Sequence, residues 1–251
     1  MPIDPAAFRH HPRLEGKIRA PEDSFFRDLD LEVLDARMRE AGAPADWRYP
    51  DARREEMRRA ALTERLQAGG EFWVFAYGSL MWDPAVDVME IRRATLQGYS
   101  RAMCLVDRFG GRGTPEAPGL MAGLDDGGTC EGLAFRLPPD GLERETERLW
   151  RREMVAPAYH AVFAPAQTAQ GEVTALAFAA DHSADMIEAD LPRETQLRYL
   201  ATGEGMLGTS LEYLENLLVQ FELLDIHDPD LAALCRDAQA LRAENSLLPE
   251  R

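Results

Sequence analysis

The chain has 251 residues and a formal charge of −16, from 44 acidic against 28 basic side chains, with 45% hydrophobic content and 8% aromatics. That is enough chain for one substantial core, and the acidic balance argues against a nucleic-acid partner, since phosphate-backbone binding draws on Lys and Arg. No stretch approaches the roughly 20 apolar residues that span a bilayer, and Met1-Pro2-Ile3-Asp4-Pro5 lacks the basic and apolar regions of a secretion signal, so a cytoplasmic protein without a membrane partner is expected.

Residues 1 to about 70 are rich in Arg, Glu, Asp and Ala and read as an N-terminal helical extension. Asp23-Ser24 is placed to cap a helix carrying Phe26, Leu29, Val33, Ala36 and Met38, and Asp51 to open another with Met57, Ala61, Leu62 and Leu66, closed by Gly69-Gly70. From residue 71 the pattern changes to short strands, expected at 72–77, 98–106, 119–124, 130–137, 158–164 and 172–180. Apolar spacings of three and four predict helices over 141–154, 193–204, 209–224 and 229–244. Strands cluster first and helices follow, which is the order of an α+β domain. The expected division is an extension over 1–70 and a catalytic domain over 71–251, with the core able to fold without the extension.

The first chemical signal is Phe72-Trp73-Val74-Phe75-Ala76-Tyr77-Gly78-Ser79-Leu80, a run of β-formers that ends in a Tyr-Gly-Ser turn. Such a turn delivers bare backbone N–H groups to the rim of a sheet, where they can hold a small anion such as a carboxylate. Ser79 is not set up as a hydrolase nucleophile, because Tyr77 stands where a nucleophile elbow requires glycine and Leu80-Met81 supplies no second one. The loop Gly110-Gly111-Arg112-Gly113-Thr114-Pro115-Glu116 has neither a phosphate-loop nor a dinucleotide fingerprint and reads as a flexible edge of a pocket.

The second signal is Glu153. At about 100° per residue it falls about 20° from Leu142 on the apolar side of the helix over 141–154. Burial there, with the negative end of the helix dipole, pushes a carboxyl pKa upward and suits a base working near neutrality. The same placement is equally met by a core ion pair with Arg151, Arg152 or a distant Arg. Further on, Thr209 and Glu212 form a capping box, and Tyr213 lies at the edge of the stripe Leu211, Leu214, Leu218, Phe221, where its hydroxyl can face a pocket or the surface. His160 and His182 have no partner at metal spacing, and Cys104, Cys130 and Cys235 fit neither a disulfide framework nor a metal clip, so buried free thiols and no cofactor are expected.

Taken in order, Phe75-Ala76-Tyr77-Gly78-Ser79-Leu80-Met81-Trp82, Gly98-Tyr99-Ser100-Arg101, Arg112-Gly113-Thr114-Pro115-Glu116, Cys130-Glu131-Gly132-Leu133-Ala134, Trp150-Arg151-Arg152-Glu153-Met154 and Gly208-Thr209-Ser210-Leu211-Glu212-Tyr213-Leu214 resemble the ChaC-type γ-glutamylcyclotransferases, over roughly residues 71 to 235. The chain departs from that pattern at Ser210, where Asn is common, and at Pro157. The resemblance implies a small mixed β-barrel flanked by helices, acting without a cofactor on glutathione to release 5-oxoproline and cysteinylglycine. It further implies that the backbone of Tyr77, Gly78, Ser79 and Leu80 holds the glutamyl end, that Glu153 is the general acid and base, and that Arg112 and Tyr213 complete the substrate site. A cyclotransferase for another γ-glutamyl amine or dipeptide, and a non-catalytic γ-glutamyl-binding protein, use the same residues.

Overall fold

A computed structural model describes residues 2–246. Five strands close into a barrel: β1 (Phe72–Ala76), β2 (Glu90–Asp107), β3 (Gly119–Leu137), β4 (Tyr159–Thr168) and β5 (Gly171–Ala180). Around it lie α1 (Leu31–Glu40), α2 (Asp51–Ala68), α3 (Leu142–Glu153), α4 (Arg193–Thr202), α5 (Ser210–Leu224) and α6 (Pro229–Ser246). The barrel is mixed, as the resemblance implies: the order is β1-β3-β2-β4-β5, these pairs run antiparallel, and the seam closes by parallel pairing of Trp73 with Ala175 and Val74 with Leu176.

Every residue of β1 is buried, which explains its unbroken hydrophobic run. Alternate side chains part company: Trp73, Phe75 and Tyr77 enter a cluster drawn from the strand region alone and rich in alanine, while Phe72, Val74 and Ala76 join the larger cluster that reaches the helices.

Two strand boundaries differ from expectation. β2 starts at Glu90, eight residues before 98, because Gly98 at φ 83° marks an irregularity inside a continuous strand where the pairing register shifts between Gln97 and Tyr99. The runs 119–124 and 130–137 form the single strand β3, whose Gly127 and Gly128 take positive φ without ending its pairing to β2.

The first helix also begins later than Asp23-Ser24. Residues Pro21–Asp23 make a 3-10 turn, Ser24 Oγ accepts from the Phe26 N–H at 3.1 Å, and the cap of α1 is Asp30, which accepts from Glu32 and Val33. A hydroxyl bonded two residues on forms its own turn and does not start a helix. α2 opens at Asp51 as expected and ends at Gly69, φ 68°.

The extension packs into the body of the molecule. Phe8, Leu14, Ile18 and Leu62 are buried members of the large core cluster. Arg27 pairs with Asp87 at 2.9 Å and with the fully buried Glu145 of α3 at 2.6 Å, and Arg58 of α2 donates to Thr146 of α3 at 2.9 Å. The Tyr49 N–H donates to the Val155 carbonyl at 2.9 Å, just past the end of α3.

Candidate active site

β1 delivers its last residues to one end of the barrel, and the chain turns there into a short 3-10 helix over Ser79–Met81. As at any helix start, the first N–H groups of this turn have no carbonyl within it to bond. Gly78 precedes it, and a Cβ on that residue would stand 2.6 Å from the Tyr213 hydroxyl, so glycine is required by the close approach of a phenol to the backbone.

Tyr77, Gly78, Ser79, Leu80, Glu153 and Tyr213 line one narrow cavity of about 50 Å³, together with Tyr159 and Phe178. Six of the seven residues singled out from the sequence therefore converge. Arg112 sits one layer behind: its guanidinium lies 5.4 Å from the Tyr213 ring centroid and donates to the Thr209 carbonyl at 2.9 Å. Its loop is braced, with Asp107 accepting from the amides of Phe109 and Arg112, and with Met206 and Leu207 donating to Gly110 and Gly111.

Glu153 is the last residue of α3, and 14% of its side chain is exposed. The structure gives it the ion pair of the second sequence reading and the cavity position that the first requires. It pairs with Arg152, Nε to Oε1 2.9 Å, and it also faces the cavity. Burial raises its pKa above the usual carboxylate range, Arg152 draws it back, and Asp83 adds to the rise. Arg152 is itself buried and has four neighbours: Glu153, the Ser79 hydroxyl at 2.9 Å, the Asp83 carbonyl, and the Phe26 ring, whose centroid lies 4.1 Å from its guanidinium carbon. Ser79 Oγ thus accepts from a cation and is bonded to no base, in line with the rejected hydrolase reading.

Three phenols complete the cavity. Tyr77 donates to the Phe178 carbonyl at 2.8 Å, and its hydroxyl is in hydrogen-bond contact with that of Tyr159. The Tyr213 hydroxyl accepts from the Ala122 amide at 3.3 Å. Burial lifts the pKa of Tyr77 and Tyr159 well above the ordinary tyrosine value and pushes Tyr213 up to about 12, so all three are neutral donors at physiological pH. Tyr213 is 3% exposed, which settles the choice between pocket and surface in favour of the pocket. The capping box Thr209–Glu212 forms as expected and fixes the start of the helix that carries Tyr213.

Sequence reasoning missed Tyr159 and the contacts of Arg152 with Ser79 and Phe26. Tyr159 carried one usable signal: it is the first residue of the strand that follows Glu153, so it returns to the rim that Glu153 occupies. The reasoning also missed a second space. Ser79, Leu105, Met121, Glu153 and Tyr159 line both the narrow cavity and a wider vestibule of about 420 Å³, whose far wall is Phe26, Leu29, Leu34, Met38 and Trp47 of the N-terminal segment.

At one end of a closed five-strand barrel, a largely buried, arginine-paired carboxylate and three neutral phenols meet at a Tyr-Gly-Ser-Leu turn. The chain belongs to the ChaC-like protein family, whose model matches residues 72–240. It is 37% identical over 194 residues to the glutathione-specific γ-glutamylcyclotransferase of Escherichia coli (strain K12), covering 76% of this chain and 84% of that one. It is 30% identical over 186 residues to glutathione-specific γ-glutamylcyclotransferase 1 of Mus musculus, covering 71% and 82%. The crystal structure of the yeast γ-glutamyl cyclotransferase specific to glutathione shares the fold, with a TM-score of 0.61 at 18% identity over 70% of this chain and 99% of that one.

Proposed function

We propose that this protein is a γ-glutamylcyclotransferase that converts glutathione to 5-oxoproline and cysteinylglycine. The observation that carries the reading is the buried carboxylate of Glu153 at the mouth of the cavity formed by Tyr77-Gly78-Ser79-Leu80. The names of the relatives in E. coli and mouse support the choice of substrate.

In the proposed reaction the glutamyl α-carboxylate lies on the backbone N–H groups of the turn, and Glu153 takes a proton from the α-ammonium. The freed amine attacks the γ-carbonyl carbon, a ring closure within one molecule that benefits from a held geometry. A new C–N bond forms, the attacking nitrogen gives up a second proton, the bond to the cysteinyl nitrogen breaks, and the two protons, one returned by Glu153 and the other relayed through solvent, end on that nitrogen, which leaves as an ammonium. Neutral Tyr213, whose hydroxyl accepts from the Ala122 amide and keeps its own proton, supplies a donor for the charge that develops on the carbonyl oxygen, while Tyr77 and Tyr159 spend theirs on the Phe178 carbonyl and on each other. Arg152 holds the carboxylate in place without neutralising it, and Arg112 steadies Tyr213 from behind. No metal or other cofactor enters this scheme. A cytoplasmic location accords with three buried free thiols, Cys104, Cys130 and Cys235.

The test is release of 5-oxoproline from glutathione by the purified protein in the presence of EDTA. Turnover is expected at the same rate with and without chelator, and activity that needs an added divalent ion overturns the cofactor-free scheme. A γ-glutamyl substrate other than glutathione is the second reading, favoured by the apolar character of the vestibule.

A further inference from the structure

The segment 25–47 lies outside the part of the chain that matches the family, yet it forms a wall of the space in front of Glu153. It is held there by several bonds. Arg27 reaches Asp87 and Glu145, Arg148 donates to the Arg27 carbonyl at 3.2 Å, Trp47 Nε1 donates to Asp35 at 2.7 Å, and Tyr49 bonds Val155. Its side chains toward the vestibule are almost all apolar, and Met121, Met206 and Leu207 face them from the barrel side.

The inner cavity is narrow and shares Ser79, Leu105, Met121, Glu153 and Tyr159 with the vestibule, so a glutamyl group bound on the turn sends its leaving half past Glu153 into that space. That half of glutathione is small and polar, while the space it enters is wide and apolar. In glutathione the thiol sits only a few bonds from the scissile amide nitrogen, so a group carried on the sulfur enters the vestibule where the apolar lining begins.

We propose that the N-terminal segment, through Phe26, Leu34, Met38 and Trp47, is a specificity wall that selects γ-glutamyl substrates with an apolar group on the leaving half, namely thioethers of glutathione. This rests on the cyclotransferase reading above. The chemistry is the same ring closure: the amide C–N bond breaks, 5-oxoproline forms, and the S-substituted cysteinylglycine leaves with the proton from Glu153, its C–S bond untouched. Burying an alkyl chain against aliphatic and aromatic side chains favours the thioether in proportion to the apolar area covered. Methionines, adaptable in shape, suit a substituent that varies.

The experiment compares kcat/KM for glutathione and S-hexylglutathione on one preparation of the full-length protein, by release of 5-oxoproline. The thioether is expected to be preferred by about tenfold, a modest share of what full burial of the chain offers. Leu34→Gln and Leu34→Phe, the first making the wall polar and the second filling the space, are each expected to lower the ratio of the two kcat/KM values by about tenfold. The ratio does not depend on how much of a variant is folded. Cleavage of glutathione with the thioether equal or worse, or a ratio that neither variant moves, overturns the specificity wall and leaves the cyclotransferase reading standing. A protein that releases 5-oxoproline from neither compound overturns both.

Discussion

The two sides of the site are built from different parts of the chain and differ in width and in the groups they present. The inner side comes from β1 and its turn, the end of α3, the starts of β4 and α5 and parts of β2, β3 and β5; it is narrow and sets three tyrosines and one carboxylate among apolar neighbours. The outer side is completed by residues 25–47, which add a mostly apolar far wall; it is wide and touches the inner side through Arg152, where Phe26 covers the guanidinium that pairs with Glu153. The inner side falls within the family match at residues 72–240, and the outer wall precedes it. In the proposed reaction the reacting groups therefore lie within the family match, and a segment outside it surrounds the leaving group.

Removing residues 1–69 tests the division most severely. Phe8, Leu14, Ile18 and Leu62 belong to the central core, and each fully buried side chain of this kind is worth about 1.5–3 kcal/mol against a whole-domain stability of about 5–15 kcal/mol. The truncated protein is expected to aggregate or to melt far below the full chain in a thermal scan. A truncation that melts with the parent means the extension is an appendage and the outer wall is separable from the inner one.

Gly78→Val breaks the inner side alone. Its Cβ would lie 2.6 Å from the Tyr213 hydroxyl, and overpacking of this sort costs about 1–3 kcal/mol. Affinity for glutathione, measured calorimetrically, is expected to fall well below that of Ser79→Ala, which removes one of several partners of Arg152. Equal losses in the two variants favour a site built on the hydroxyl over one built on the backbone.

Arg152→Met sharpens the boundary between the sides. Burial already holds the Glu153 pKa above the usual range, so the acid limb of the rate profile is expected above that of a free carboxylate, with activity lost as pH falls through it. Arg152 opposes that rise, and its removal is expected to move the limb to still higher pH, with Arg152→Lys in between. A pH profile that does not move assigns Arg152 to packing only.

How much of this was legible in the sequence follows from how local each signal is. β1 and its turn could be read because a buried strand writes an unbroken apolar run, and Glu153 because helical periodicity reports which face a residue occupies. The joining of 119–124 to 130–137 was hidden, since Gly127-Gly128 writes a turn signal that long-range pairing to β2 overrides. Asp23-Ser24 misled for a similar reason: hydroxyl and carboxylate side chains serve turns as readily as caps, and only the tertiary position of Asp30 decides which one starts the helix. Tyr159 was overlooked although its place at the start of the strand after Glu153 hinted at it, and Phe26 was invisible as a site residue because its approach to Arg152 depends on packing across more than a hundred residues.

The central claim is that Glu153 is the acid and base of a cyclotransferase, and the direct measurement is 5-oxoproline release from glutathione by the parent and by Glu153→Gln. The amide keeps the shape but cannot accept the amine proton, so turnover is expected to drop about 10²–10⁴-fold with the melting curve and glutathione binding retained. A Glu153→Gln protein that turns over glutathione at the parent rate contradicts the account and reduces Glu153 to the ion-pair partner of Arg152.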